Sequence, residues 1–432
     1  MTRNQPGLIP RFLRWGTITL VGLMPFHALI YVWLGTNLGH IDWFKIWPEL
    51  AIAALTPLAV MSFVRDDKLR GVLMSRKINW LILWYVALHL AIAAWRQPEL
   101  KALIAGLMTN LRIVAMLLLG QIMAHQWPDR KTAETFARVV IFTGLATVVF
   151  AVLQVTILPD DFLRWFGYGS TTIRPYTKLH EGSNVLRFSS TLRGPNPFGA
   201  YLVVILSSLL NRSYRSKQRT VVLFTVALAA TALLFSFSRS AWIASVIACG
   251  LAYWVHALPN ARRRVGLIAA AGVVLLATGV VIFRDNNVIE NAFFHTDESN
   301  VASTSDEGHL AALRAGVQGV AEDPLGDGPG TAGPASVNLT KMSPRISENY
   351  YLQLAQEVGV IGLVLFLLIF ALVMQRAYAQ RLYVWPQVLL VSGIGLAVAN
   401  MLLHVWADDT LGIIWWAMAG YYLYLPSKAQ PK

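Results

Sequence analysis

The sequence predicts an all-α, polytopic integral membrane protein with about 12 transmembrane helices. Three observations carry that expectation. Hydrophobic residues make up 56% of the 432 and charged residues only 14%, whereas soluble proteins average about 25% charged. Apolar stretches of roughly 17–25 residues, the length at which a helix crosses a bilayer core, recur along nearly the whole chain. Lys and Arg gather in alternate connections, the pattern of cytoplasmic loops. A soluble multidomain enzyme is thereby excluded, and 15 Trp, 14 Tyr and 19 Phe exclude disorder. The single cysteine, Cys249, lies in an apolar run, so neither an intrachain disulfide nor a cysteine metal cluster is possible. The net charge of +13 reads as membrane topology, with no nucleic-acid partner.

The segments follow in order. The first, 13–36, comes after Arg3, Arg11 and Arg14. It is too long for a signal peptide and lacks a clear small-residue cleavage site, so it stays as a helix. Segment 43–64 is separated from 79–95 by the compact basic stretch DDKLRGVLMSRK, and 102–124 from 136–157 by a basic connection at 130–138. A long connection, 158–195, leads into 196–211, where Gly194, Pro195 and Pro197 break any helix and Asn196 can cap the next. After NRSYRSKQR comes 219–236, and 239–257 begins at Arg239 with almost no loop before it. NARRR precedes 265–283, and a second long connection, 284–349, leads to 350–375, 384–405 and 410–425.

Of the 36 Lys and Arg, 22 lie in the N-terminal tail and every second connection, 13 on the opposite side, and Arg112 within a span. Twelve spans then leave both termini in the cytoplasm. The whole chain, 1–432, forms one transmembrane domain, and both long loops, 158–195 and 284–349, fall on the outer side. Trp165, Phe166, Tyr168, Phe293 and Phe294 predict that these loops are partly ordered at the membrane surface. In EGHLAALRAGVQGVAED, the helical spacing of Leu310, Leu313, Val317 and Val320 predicts an amphipathic helix beside the outer leaflet, with Arg314 on its other face.

That outer side also holds the residues suited to chemistry. Arg239, in FSFSRSAWIA, reads either as an interface anchor or as a phosphate ligand, since a guanidinium can grip two phosphate oxygens together. Arg314 is either a solvated charge or the second arm of a two-arginine clamp. Arg187 and Arg193, in LRFSSTLRGPNPFGAYL, together with Asn196, form either a turn and cap or a loop shaped to hold a ligand. Glu348, at the start of the tenth segment, complements the helix dipole or takes a proton from an attacking hydroxyl. Asp408 and Asp409 follow Trp406 at an outer turn and read as helix capping ahead of metal binding. His309 and His404 are lone rings. The absence of HExxH, GxxxxGK[ST], GxSxG and a strand–helix GxGxxG removes support for zinc hydrolysis and for ATP use through a P-loop. No metal site or cofactor is expected.

The chain resembles the O-antigen ligase and O-antigen polymerase superfamily, bacterial inner-membrane glycosyltransferases that use undecaprenyl-diphosphate-linked glycans. Ligases of this kind carry a His-Asn pair, nine residues, then Gly-x-x-Gly; here Asn349 is followed by nine residues and then Gly359, Val360, Ile361 and Gly362, with Glu348 at the histidine position. Arg239 and Ile243 match an arginine, three intervening residues and an aliphatic one. Arg314 corresponds to the arginine before the family's Gly-rich turn, here PLGDGPG at 324–330, and RGPNPFG at 193–199 resembles its Pro-Asn-x-x-Gly segment.

The resemblance implies a GT-C-like glycosyltransferase in the bacterial inner membrane, with a periplasmic active site serving lipopolysaccharide biosynthesis. It implies metal-independent, inverting transfer of a glycan from undecaprenyl diphosphate to a sugar hydroxyl of lipid A–core. In that scheme Arg239 and Arg314 stabilise the departing diphosphate and Glu348 deprotonates the acceptor. Arg187, Arg193, Asn196, Asn349 and Tyr350 shape the substrate pocket. The alternatives are an O-antigen polymerase, a transferase of lipid-linked glycans to another surface polymer or to protein, and, in another class, a membrane transporter. A transporter favours broken helices with charges near mid-membrane, and Arg112 and Glu357 are the charged residues that the sequence places well inside spans.

Overall fold

A computed structural model of the chain describes residues 7–179, 185–213, 217–256 and 305–431. The predicted span 265–283, the basic triplet 262–264 and the part of the second long loop that carries Arg284, Phe293 and Phe294 lie outside the described residues. The described helices are α1 (Leu8–Leu23), α2 (His27–Leu38), α3 (Ile41–Lys45), α4 (Trp47–Arg65), α5 (Asp67–Met74), α6 (Lys77–Arg96), α7 (Leu100–Gln126) and α8 (Arg130–Thr156). They continue with α9 (Pro195–Ser213), α10 (Arg219–Phe235), α11 (Arg239–His256), α12 (Ser305–Glu322), α13 (Tyr350–Ala379), α14 (Val384–Ala399) and α15 (Asp409–Tyr422). Strand structure among the described residues is one two-residue antiparallel ladder, Thr177–Lys178 against Leu186–Arg187. The protein is all-α and multi-pass, and eleven of the twelve apolar segments coincide with described helices.

Local chemistry sets the boundaries. The first segment is split into α1 and α2 by a 3₁₀ turn at Met24–Phe26, where Pro25 cannot donate to a helical ladder. Carboxylate or amide side chains accept from the first-turn N–H groups of four helices: Asp66 for α5, Asp129 for α8, Asn349 for α13 and Asp408 for α15. Capping is thus the place of Asp408 in the fold.

Six stretches are long and apolar enough to cross a membrane by length and composition, Leu8–Leu38 and α4, α6, α7, α8 and α13. The helices α10, α11, α14 and α15 are shorter, at 17, 18, 16 and 14 residues. At 1.5 Å per residue they span about 21–27 Å, less than a hydrocarbon core of about 30 Å. The last of these begins part-way along the bundle. Gly412, in the first turn of α15, packs beside Arg112, twelve residues into the 27-residue α7. The predicted span 384–405 accordingly ends at Ala399. Hydropathy continues into Leu402 and Leu403, but the chain turns at Asn400, whose carbonyl accepts from Tyr350 N (3.0 Å).

The tenth segment is the main departure from the sequence reading. It is two helices, broken at Val358 (φ −125°, ψ 20°) and Gly359 (φ 72°, ψ 176°). In one continuous helix Tyr350 and Phe366 would stand about 24 Å apart; their ring centroids are 5.3 Å apart. The stub Tyr350–Glu357 folds back along the longer arm and drives its N-terminus into the bundle. Backbone groups freed at such a break need partners away from water, and the PLGDGPG loop supplies them. Asp327 N donates to Gln356 O, Gly328 N to Glu357 O, and Pro324 O accepts from Val360 N, each at 2.9 Å. Gly359 abuts the Pro324 and Leu325 carbonyls, and Gly330 (φ 86°) abuts the backbone of Ala102 on α7. The broken helix that a transporter would use to coordinate an ion is therefore closed by peptide hydrogen bonds. Beside it the carboxyl of Glu357, fully buried, accepts from Asn110 Nδ2 (2.5 Å).

The expected amphipathic helix is present as α12. Leu310 and Val317 are exposed, whereas Gly316 packs on Ser347 and Leu352, and Gly319 on Gln356. Small residues permit the close helix contact, and the apolar stripe is left to lipid, a division common between helices in membranes. We predict that Gly359→Ala lowers stability by about 1–3 kcal/mol, the cost of a strained left-handed backbone, because its Cβ would stand 2.7 Å from the Pro324 and Leu325 oxygens. Thermal unfolding in detergent measures it; an unchanged melting temperature would show that the loop does not hold the break.

Candidate active site at the converging helix ends

Three contacts fix the relative heights of α9, α11 and α14. Asn211 Nδ2 donates to Gln387 Oε1 (2.7 Å) at one end of α9. Gly199, near its other end, lies beside Ser238 and Ala241, and Gly395 lies beside the Ala244 carbonyl. So α9 and α11 run in the same direction and α14 runs against them. Arg239 is five residues before Ala244 and Asn400 five after Gly395, so both lie about 7–8 Å from that contact, on the same side. Glu348 reaches the same level through its neighbours: Tyr350 N is bonded to Asn400 O, and Asn349 Nδ2 donates to Met401 O (3.0 Å). Glu348 is half-buried and has φ 50°, a left-handed conformation uncommon outside glycine.

A second group stands at the same end of the bundle. Arg187, at the end of the short ladder, donates from Nε to Ser236 O (3.1 Å) and from its terminal nitrogen to Asn196 Oδ1 (2.7 Å). Burial pushes its pKa down to about 10, and the charge of nearby Arg239 adds to the depression. Two guanidinium groups brought together in a partly dry site repel each other, and a polyanion between them relieves that repulsion with charge-assisted hydrogen bonds.

Arg193 belongs to a third, ionic cluster. It pairs with Asp408 at 3.3 Å and leaves 41% of its side-chain surface open. Burial alone would lower its pKa, but Asp408 and Asp409 outweigh that and raise it. Burial lowers His404 to about 4, helped by the charge of Arg193, so the ring is neutral at pH 7. Behind this pair Arg112 is buried against Glu49 (2.9 Å), Asp409 and the Ala407 carbonyl (2.5 Å), and His27 lies 3.5 Å from Asp409. The charge that seemed isolated inside the fourth span is the centre of a network tying α4, α7 and α15 together.

The remaining residues fall as follows. Arg314 is exposed on α12 and makes no hydrogen bond or ion pair among the described residues; Gly316, two residues on, packs on Ser347, next to Glu348. Both ends of the Asn349 amide are engaged, one capping α13 and the other on Met401 O. Tyr350 is fully buried against Phe366, which gives it a packing role at this site. Sequence reasoning missed Glu49 and the break at Gly359. A lone glycine in a uniformly apolar run gives no hydropathy signal, although its pairing with a distant Gly-rich loop could have drawn attention to it.

Residues 224–367 match the family model described as O-antigen ligase. Over 317 residues the chain is 21% identical to an O-antigen polymerase from Salmonella muenchen, an alignment covering 71% of this chain and 76% of that protein. A region of the chain is thus similar to O-antigen ligases, and most of its length is distantly similar to an O-antigen polymerase. The matched region runs from α10 into α13 and includes Arg239, Arg314, Glu348 and both halves of the loop-and-break unit; Arg187, Arg193 and Asn196 precede it.

Removing one partner from a buried charge network leaves the others unpaired, which costs about 3–5 kcal/mol. Arg112→Met should therefore sharply reduce the yield of folded protein and its melting temperature, and adding Glu49→Gln and Asp409→Asn should restore part of both. A single Arg112→Met variant as stable as the parent would refute the structural weight given to this network.

Proposed function

We propose that this protein is an O-antigen ligase, transferring a glycan from undecaprenyl diphosphate to a sugar hydroxyl of lipid A–core at the periplasmic face of the inner membrane. The observation that carries the reading is the shared level of Arg239 and Glu348 at one end of the bundle, with Arg187 and Asn196 beside Arg239. The described basic residues Arg76, Arg212 and Arg376 lie toward the other end, which agrees with an outward-facing site and cytoplasmic termini.

The donor's sugar–phosphate bond is already activated, so nucleotide and ATP are not required. The acceptor hydroxyl gives its proton to the Glu348 carboxylate, and its oxygen bonds to the anomeric carbon. The bond from that carbon to the phosphate oxygen breaks, and undecaprenyl diphosphate leaves with the electron pair. Arg239 and Arg314 hold the charge that develops on it, Arg314 from the flank of the α13 stub. Arg187, oriented by Asn196, and Arg193, oriented by Asp408, bind the donor before transfer. Single displacement inverts the anomeric centre.

Removing a donor that stabilises developing charge typically costs about 3–4 kcal/mol, or 100- to 1000-fold in rate. With purified donor and lipid A–core, Arg239→Ala, Arg314→Ala and Glu348→Gln should each lose transfer by that order while protein levels stay normal. Near-normal transfer by any of them removes that residue from the scheme. EDTA should leave the rate unchanged, and NMR of the new linkage should find inversion; retention excludes single displacement.

The similarity to an O-antigen polymerase favours a second reading, in which the same donors are joined to one another. Lipid A–core as sole acceptor separates the two, because a polymerase ignores it.

A further inference from the structure

At the end of the bundle away from Arg239 and Glu348, two arginines share one aromatic ring. The guanidinium carbon of Arg76 lies 4.2 Å from the centroid of Tyr424, and that of Arg376 lies 4.1 Å from it. Each is anchored by a single hydrogen bond, Arg76 to Gln121 Oε1 and Arg376 to Leu423 O, both at 2.6 Å. Among the described residues the other N–H donors of both side chains have no hydrogen-bond partner, and neither arginine forms an ion pair. Burial depresses Arg76 to about 10, and the charge of Arg376 acts in the same direction. Two like charges on one ring, with no carboxylate paired to either among the described residues, attract an anion.

Next to this pair an apolar groove of about 520 Å³ runs between α6 and α13, lined by Trp80, Leu81, Leu368, Ala371 and Leu372, with Lys77 and Gln375 at its head. Those two residues directly neighbour Arg76 and Arg376 in sequence. The Trp80 indole donates to Met74 O (2.9 Å) and half its surface is open, the posture of an interfacial tryptophan. We propose that this site binds an acidic glycerophospholipid, with its phosphate between Arg76 and Arg376 and one acyl chain along the α6–α13 groove. Charge complementarity selects the acidic headgroup, and the continuity of basic head and apolar groove selects an amphiphile over a free anion. Basic pockets between membrane helices recognise lipid headgroups by this chemistry.

Native mass spectrometry of the full chain in detergent tests it, with dioleoyl phosphatidylglycerol and dioleoyl phosphatidylcholine as probes. The first should be retained preferentially. Arg76→Ala with Arg376→Ala should weaken its retention about 25-fold, about fivefold for each charge, the fold-change equivalent to about 1 kcal/mol. Phosphatidylcholine retention should not change. The Arg76→Lys, Arg376→Lys pair keeps the charge and should stay within about fivefold of the parent, and Ala371→Trp, which fills the groove with both charges intact, should also weaken phosphatidylglycerol retention. Equal retention of the two lipids, or no effect of either the alanine pair or Ala371→Trp, overturns the proposal. Displacement of the lipid by inorganic phosphate alone also overturns it, because the site would then be one for a simple anion. Should the alanine pair fail to fold, the lysine pair and Ala371→Trp decide.

Discussion

The structure depends on one constraint: away from water, every charge and every freed peptide group must find its partner inside the protein. The break at Gly359 meets this through three backbone hydrogen bonds to the PLGDGPG loop. Arg112 meets it through Glu49 and Asp409. Neither arrangement is local, since each joins segments far apart in sequence. Together they fix the positions of α7, α12, α13 and α15. The half-buried polar end of the bundle is what remains once these demands are satisfied.

The fold-back of α13 explains why a hydrophobic stretch begins with Glu348-Asn349. A continuous span would leave that pair at the membrane surface. The reversal instead carries it down to the end of α14, where Asn349 caps its own helix and grips Met401 O. The nine residues between Asn349 and Gly359 are one short helix, Tyr350–Glu357, and the first residue of the break, Val358. The spacing from Asn349 to Gly359 thus has a mechanical reason. The left-handed backbone at Glu348 adds strain where the carboxylate is presented.

Much of the fold was legible in the sequence, because hydropathy reports directly on the need to bury or solvate a helix. Eleven apolar segments correspond to described helices, and the cap at Asp408 was readable from the turn after Trp406. The packing of α12 on the α13 stub was not, because it runs through the small residues Gly316 and Gly319, which carry no hydropathy signal. The break at Gly359 and the partners of Arg112 were hidden for another reason, since both depend on contacts between distant segments. Among the candidate site residues, Arg187 lies against Asn196 and near Arg239, and Tyr350 is buried; neither arrangement was readable from spacing, because each depends on contacts between separate segments.

The central claim is that these polar helix ends open to a single compartment outside the cell membrane. The lone cysteine makes a direct measurement possible: with Cys249→Ser as background, single cysteines replace Asn196, Arg314, Glu348, Arg212 and Arg376 in turn, and intact cells with a permeabilised outer membrane are treated with a membrane-impermeant maleimide. The account predicts labelling at 196, 314 and 348 from outside, and at 212 and 376 only after the inner membrane is opened. Labelling of position 348 or 314 from the cytoplasmic side alone would contradict it.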